Sequence, residues 1–469
     1  MHGCINNYMF NHLFIALEFM SKKYLYLSVF FILFLSFSGH SQELLSLDDC
    51  RKLAIENNKN LKIATEQERV AYYQKKEAFS KYLPEFSAMG AYLKLQHTIN
   101  LLPDVITIPS IGSLPSMTIP TNGIGEVDIR NIYIGSLSLT QPIFMGGRIV
   151  AYNDVMKNAE LLAKTQKNAQ LRDVIAETDA AYWQVVSLAS KLKLAQSYVD
   201  LLKKMDSDIS IMEQEGVATK ADVLSVRVKL NEGEVALVKV ENGLSLSRMF
   251  LNQLCGLDIS RQNTLVDEQS ESLNINEDIA IIPNVDEALS NRPEVKSLEY
   301  ATKIYKGKER IARAEFLPQI GFRAGYMWTN PNSRHGFEKK FNGGWNLGLV
   351  VTIPFSFGNT SKLNAAKAQT IISGLQLADS KEKITLEVNQ NAYKLTEAQR
   401  KFTMSEKNLE KADENLRYAN VGFEEGVIPT SDVLAAHTAW LSAHSEKIDA
   451  QIDVKLSAIY LKKSLGRDF

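Results

Sequence analysis

The chain has 469 residues, with 53 Lys and Arg against 54 Asp and Glu, a formal charge of −1 and three cysteines. This length accommodates two or three domains. The balanced charge excludes a broad basic surface for nucleic acid, and two or three cysteines in so long a chain exclude a disulfide scaffold.

The first element is the stretch MSKKYLYLSVFFILFLSFSGHSQE, which starts at Met20. Lys22 and Lys23 precede an apolar run from Tyr24 to Phe37, and Gly39 and Ser41 follow with small-x-small spacing. The run is shorter than the roughly 20 residues of a bilayer span and ends in small polar residues, so residues 1–41 read as an N-terminal extension and secretory signal peptide. An uncleaved membrane anchor is the competing reading. Cys4 leaves with the leader, so the exported chain keeps Cys50 and Cys255. A bridge between them stays open, but the reading adopted is two unpaired, partly buried thiols. Beyond the leader no run of 18 apolar residues occurs, so a membrane can be crossed only by strands.

From residue 42 onward the chain is written twice. LAIENNKNLK (53–62) corresponds to ALSNRPEVK (288–296), YLPEF (82–86) to FLPQI (316–320), and TQPIFMGG (140–147) to TIPFSFG (352–358). QEGVATKADVL (214–224) corresponds to EEGVIPTSDVL (424–434), and LNQLCGLD (251–258) to LKKSLGRD (461–468). The predicted organisation is a first repeat at 42–262, an irregular connector at 263–284 and a second repeat at 285–469. Each repeat contains short helices, a strand pair (about 84–142 and about 318–356) and a pair of long helices (about 148–256 and about 360–465).

Ser46 and Asp49 have the spacing of a capping box opening the first helix, and Pro293 suits the first turn of its counterpart. Pro84 and Pro318 end the second helix of each repeat, because a residue before proline is pushed out of the α region. Period-two segments follow. In 319–328, Ile320, Phe322, Ala324, Tyr326 and Trp328 share one face; in 345–355, Trp345, Leu347, Leu349, Val351, Ile353 and Phe355 do so. First-repeat strands are expected at about 86–97 and 130–141, and Pro142 and Pro354 are expected to stop their strands. Beyond them Ile384, Val388, Asn391, Leu395, Ala398 and Phe402 begin a run of alternating four- and three-residue steps that continues to Phe423. This is the 3.5-residue seam of a left-handed coiled coil. From Arg148 to Gly216 the chain could span roughly 100 Å as one helix.

An apolar, aromatic strand face could be the core of a soluble sandwich. Three features favour lipid: the roughly ten-residue strand length, the aromatics Tyr326, Trp328 and Trp345 at the hairpin end, and the export signal. Four strands leave open edges, which hydrocarbon does not tolerate. Closure therefore needs several copies of the chain. Eight strands enclose only side chains, so a conduit needs at least three copies and twelve strands.

The duplicated plan, the YLP and FLP strand entries and the paired G-V-x-x-x-x-D-V-L breaks together resemble the TolC-type outer-membrane efflux proteins, over essentially the whole exported chain. The resemblance implies a mainly α fold with a membrane β-barrel part: a homotrimer whose four strands per chain close a twelve-stranded barrel continuing into a periplasmic α-helical tunnel. It implies an outer-membrane channel of a tripartite efflux or type I secretion system. The partners would be outer-membrane lipid, a periplasmic adaptor (membrane fusion) protein and an inner-membrane pump of RND or ABC type, with no cofactor. Segment 257–284 would join an equatorial belt, and the Pro-, Ile- and Thr-rich loop 99–129 would lie at the external mouth.

In such a plan the long helices turn at the periplasmic tip. Gly216 and Gly426 suit the turns because glycine takes the left-handed backbone without a Cβ clash. Thr219, and Thr430 or Ser431, are candidate caps, with Pro429 supporting the second bend. Asp222 and Asp432 stand six residues after each glycine, and acidic residues in a first helical turn also offset the helix dipole. The resemblance implies more: Asp432 facing the pore in a symmetric ring, Asp222 in the network that holds the tip closed, and Phe423 as a retained tip aromatic. Ile428 stands where some family members carry a basic residue, and Ala435 stands at a second acidic position of the family.

No catalytic constellation is legible. His437 and His444 lack zincin spacing, and FMGGRI (144–149) matches neither a dinucleotide nor a phosphate-binding loop. An enzyme is not expected. A soluble periplasmic coiled-coil scaffold or binding protein is the alternative.

Overall fold

The computed structural model describes residues 44–112, 114–121, 124–269, 280–332 and 337–467. The signal peptide expected at 1–41 lies outside them, as does the middle of the connector expected at 263–284. A short strand, β1 (Leu44–Leu45), leads into α1 (Leu47–Asn57) and α2 (Lys59–Ser80). Four strands form the main sheet: β2 (Glu85–Lys94), β7 (Asn131–Met145), β9 (Gln319–Asn330) and β10 (Asn342–Thr352). Between β2 and β7 lie the short strands β3 (Ile99–Asn100), β4 (Val105–Ile108), β5 (Met117–Pro120) and β6 (Glu126–Val127). The long helices are α3 (Arg148–Gln214) and α4 (Lys220–Cys255); β8 (Thr264–Leu265), α5 (Val285–Asn291) and α6 (Pro293–Ala314) follow, and α7 (Gly358–Glu424) and α8 (Thr430–Leu465) complete the chain.

The duplication reappears as equal lengths. Helices α2 and α6 each have 22 residues, α3 and α7 each have 67, and α4 and α8 each have 36. The local reasons are those of the sequence. Asp49 N–H donates to the Ser46 hydroxyl and Ser46 N–H to the Asp49 carboxylate, which closes a capping box on α1. Asn58 accepts from the N–H groups of Asn60 and Leu61 to start α2. The predicted seam is buried at Ile384, Val388, Leu395, Ala398, Leu409 and Ala419.

The main sheet is antiparallel, in the order β10-β9-β7-β2. One transverse row reads Ala88, Leu137, Tyr326, Trp345; the next reads Ser87, Ser138, Gly325, Asn346. Adjacent rows point to opposite faces, so the sheet has an apolar face and a polar one. On the polar face the Ser87 and Ser138 hydroxyls are 2.6 Å apart. At the loop end of the apolar face Tyr92 and Tyr133 pack with ring centroids 4.9 Å apart. The Trp328 indole covers Gly135, where a Cβ would meet it at 2.1 Å. At the same end Asp128 binds both Arg130 and Lys339, tying the two hairpin loops together.

One expectation is corrected. Pro142 does not stop its strand: β7 continues to Met145, with a register shift between Pro142 and Phe144. Proline cannot donate to the ladder, and the bulge absorbs the missing bond. Pro354 lies beyond the end of β10 at Thr352.

Below the sheet the helices stand side by side in the order α2-α3-α6-α7, and nearer the tips in the order α4-α3-α8-α7. Three cores succeed one another along this wall. The first gathers Tyr182, Trp183, Val185, Leu251 and Leu265 with both cysteines; the second joins α5, α6, α7 and α8; the third lies at the tips. Cys50 and Cys255 are free and fully buried, with the Cys255 thiol 3.6 Å from the Cys50 carbonyl oxygen. The parallel pair β1–β8 and the short helices α1 and α5 pack outside the long helices at this level. Among the described residues no helix is long and apolar enough to cross a membrane.

Candidate functional site at the helix tips

The two tips are alike down to individual hydrogen bonds. Helix α3 gives way at Gly216 (φ 77°) and α7 at Gly426 (φ 73°), both in the left-handed region that glycine takes without strain. Val217 N–H donates to Met212 O, and Val427 N–H donates to Gly422 O, each at 2.8 Å. Ala218 and Ile428 donate to the same two carbonyls at 3.1 and 3.0 Å. These bonds satisfy carbonyls that a helix end leaves open.

Side chains then break the symmetry. Met212 and Ala218 in the first tip correspond to Gly422 and Ile428 in the second. The Ile428 side chain folds back over Gly422, where a Cβ would stand 2.5 Å from Ile428 Cδ1. The large residue has moved from one side of the turn to the other. Ile428 thus belongs to the tip core with Phe423, Leu416 and Ala218, packed on Ile209, Val226 and Val433. Phe423 is partly buried in this core.

The returning helices start differently. Thr219 N-caps α4, and Asp222 occupies its third position. Thr219 donates its N–H (2.9 Å) and its hydroxyl (2.6 Å) to the Asp222 carboxylate, and Asp222 N–H donates back at 3.2 Å. Thr219 chiefly, with a smaller contribution from the Thr430 side chain of the other tip, holds the Asp222 pKa below its ordinary range. The cap therefore contributes in full above that range, about pH 4, and is lost as pH falls through the lowered value.

At the second tip the N-cap of α8 is Pro429, which makes no side-chain cap. Neither Thr430 nor Ser431 takes the expected capping place: Thr430 is buried and Ser431 donates to Asp432 at 3.1 Å. Asp432 is exposed. Its position matches that of Asp222, but proline has no N–H and no hydroxyl to offer it. Glu424 and Glu425, at the end of α7, are exposed as well. Sequence spacing singled out the two aspartates; the exchange of Met212–Ala218 for Gly422–Ile428 was there to be read by aligning the repeats, and only the packing gives it meaning.

Of the two histidines on α8, His437 is buried near the tip with its Nδ1 unpartnered, and burial lowers its pKa. His444 stacks on Trp440 with centroids 4.6 Å apart. No group of three metal-ligating side chains occurs among the described residues.

The family model described as "outer membrane efflux protein" matches residues 51–257 and 284–467. Among curated proteins, the alkaline protease secretion protein AprF of Pseudomonas aeruginosa is 21% identical over 334 residues, 68% of this chain and 67% of that protein. Protein CyaE of Bordetella pertussis is 20% identical over 348 residues, 74% of this chain and 73% of that protein. Among solved structures, the CmeC outer membrane channel of Campylobacter jejuni superposes with a TM-score of 0.75 at 17% identity, over 90% of this chain and 85% of that one. A membrane protein from Pseudomonas aeruginosa gives 0.73 at 18% identity, covering 90% and 93%. CusC gives 0.72 at 17% identity, covering 90% and 92%. At these identities the likeness to solved structures is one of fold.

Proposed function

The chain belongs to the outer membrane efflux protein family, and from that premise we propose that three copies form a gated conduit from periplasm to exterior. It is an outer-membrane channel protein with a periplasmic extension, and the family is one of transport channels rather than enzymes. One observation carries the reading: a four-stranded sheet with an apolar face, bare at both β2 and β10 among the described residues, stands on helices of 67 residues. In lipid the bare edges must pair with other copies. Three copies give the twelve strands that leave room for a lumen.

On this reading the sheet rows that begin at Ala88 face lipid and those that begin at Ser87 face the lumen. The tips form the periplasmic mouth, where three Asp432 carboxylates make an acidic ring. A ring of like charge in a low-dielectric constriction attracts and holds cations. Asp222 supports the ring through Thr430, and Phe423 supports it through the tip core. The tip docks a periplasmic adaptor bound to an inner-membrane pump of the RND or ABC type. Residues 1–41 act as the export signal, and 42–262 and 285–469 are the two structural repeats.

Protein export is a second reading, favoured by the likeness to the alkaline protease secretion protein. The pump's class then decides the cargo. Fractionation with sizing and planar-bilayer recording tests the conduit. The expected result is a detergent-extracted, heat-modifiable trimer in the outer membrane that conducts ions. Release by osmotic shock as a non-conducting protein would end it.

A further inference from the structure

We propose that a cavity where the sheet meets the long helices binds amphipathic anions, solutes with an apolar body and one carboxylate, sulfate or phosphate group. This rests on the conduit reading above and adds to it a class of solute. The cavity, of about 610 Å³, lies where α2 ends and β2 begins, beside the end of β7 and the start of α3. Small-molecule sites span about 300–1,000 Å³. Its sheet residues all stand on the polar face: Glu85 pairs with Thr140 two residues on from the Ser87–Ser138 row, Pro142 pairs with Gly321, and Met145 with Gln319. On the conduit reading the cavity therefore opens to the lumen.

Leu83, Ile149, Tyr152 and Ile311 give the cavity an apolar wall. Two cations, Lys81 and Arg148, share the lining with one carboxylate, Glu85. None of these three side chains has a hydrogen-bond or ion-pair partner among the described residues. Arg323, across from Thr140 on β9, is a third unpaired cation. It and Glu85 are the only charged side chains on the polar face of the four strands. Helix α3 starts at this cavity with no side-chain cap and no acidic residue in its first turn, so its open N–H groups add to the positive potential.

The same corner of the second repeat is closed. Glu315 stands there in place of Lys81, Lys362 in place of Tyr152, and Asn359 in place of Ile149. Lys362 binds the Glu315 carboxylate at 3.1 Å, and Asn359 donates to the Glu315 carbonyl oxygen at 3.1 Å. That corner meets its own charge within the chain. In the first repeat the acid has become a lysine, and a ring and an isoleucine replace its polar partners. Cations left without a partner beside an apolar wall are complementary to a ligand with an anionic head and an apolar body. The acidic ring at the tip does not oppose such binding. It lies at the far end of a 67-residue helix, roughly 100 Å away, whereas salt screens a charge within about 10 Å.

Planar-bilayer recording of the full-length protein with octanoate tests the site. Octanoate should interrupt the current, while acetate, which lacks the tail, and octanamide, which lacks the charge, should not. Lys81→Gln and Arg148→Gln should each weaken the octanoate block about tenfold, and Glu85→Gln should strengthen it. Independently of current, the thiol of Ile149→Cys in the detergent-extracted trimer should react with a small methanethiosulfonate reagent, and octanoate but not acetate should slow the reaction. Block by acetate equal to that by octanoate, or octanoate block unchanged in all three charge variants, overturns the site and leaves the conduit standing. So does a thiol at 149 that is unreactive with and without octanoate, because another copy then fills the cavity. A protein that sizes as a monomer and carries no current overturns the conduit, and the lumen site falls with it.

Discussion

Thr219 offers Asp222 both an N–H and a hydroxyl, whereas Pro429 can offer Asp432 neither. The proline thereby leaves one carboxylate of an otherwise repeated turn outside any capping box, exposed and bonded only to the neighbouring Ser431 hydroxyl among the described contacts. Replacing Pro429 with Thr rebuilds the first tip's capping box at the second. It should stabilise the start of α8 by about 1 kcal/mol and draw Asp432 into the cap. Block of bilayer channels by multivalent cations should weaken in Pro429→Thr and vanish in Asp432→Ala. Block unchanged in both would remove Asp432 from the mouth. Gly422 makes a second residue-scale case, because the Ile428 side chain fills the space above it. Gly422→Met alone should cost about 1–3 kcal/mol through overpacking. The double variant Gly422→Met with Ile428→Ala recreates the Met212–Ala218 arrangement and should recover most of the loss, read as the melting temperature by circular dichroism.

Between elements, one buried ion pair ties the first short helix to the long wall. Arg51 of α1 donates from Nε and a terminal nitrogen to the two Asp179 oxygens of α3, both at 2.7 Å, and Asp179 is fully buried. Burial raises the Asp179 pKa more than Arg51 lowers it. Arg51→Ala leaves that carboxylate buried without its partner and should cost about 3–5 kcal/mol at neutral pH. A raised pKa means that stability is present at low pH and is lost as pH rises through the folded-state value. The variant should therefore regain part of its loss on acidification, as denaturant midpoints at two pH values would show; an equal loss at both would place the effect in packing instead. The gain is to be read against the opposite trend from Asp222, whose lowered pKa removes the α4 cap in acid.

For the molecule as a whole, the single chain exposes 30667 Å² of surface. A compact monomer of 52.6 kDa would expose about 18,000 Å². Part of the excess is large apolar side chains that, on the trimeric reading, lipid and other copies would cover: Trp345, Leu347 and Leu349 on the sheet, Tyr393 and Met404 on α7. Stability then cannot be separated from assembly. In detergent the unfolding temperature should rise with protomer concentration, and calorimetry over a hundredfold range would show it. A midpoint independent of concentration would mean that the chain is stable alone.

Much of this architecture is legible in the order of the residues. Period two and period 3.5 are local consequences of strand and helix geometry, so the sheet faces and the seam from Ile384 to Phe423 follow from spacing, and the duplication follows from repeated words. Glycine at 216 and 426 is equally local, since a left-handed turn penalises any Cβ. What spacing could not supply is whatever depends on a neighbour distant along the chain. The bulge that carries β7 past Pro142 depends on β9, and the fold of Ile428 onto Gly422 depends on the turn closing. That Asp222 enters a capping box and Asp432 does not depends on which groups surround two carboxylates that are equivalent in sequence. Local rules act within a few residues, and packing, burial and charge act through space, where residues 51 and 179 are as near as residues 219 and 222.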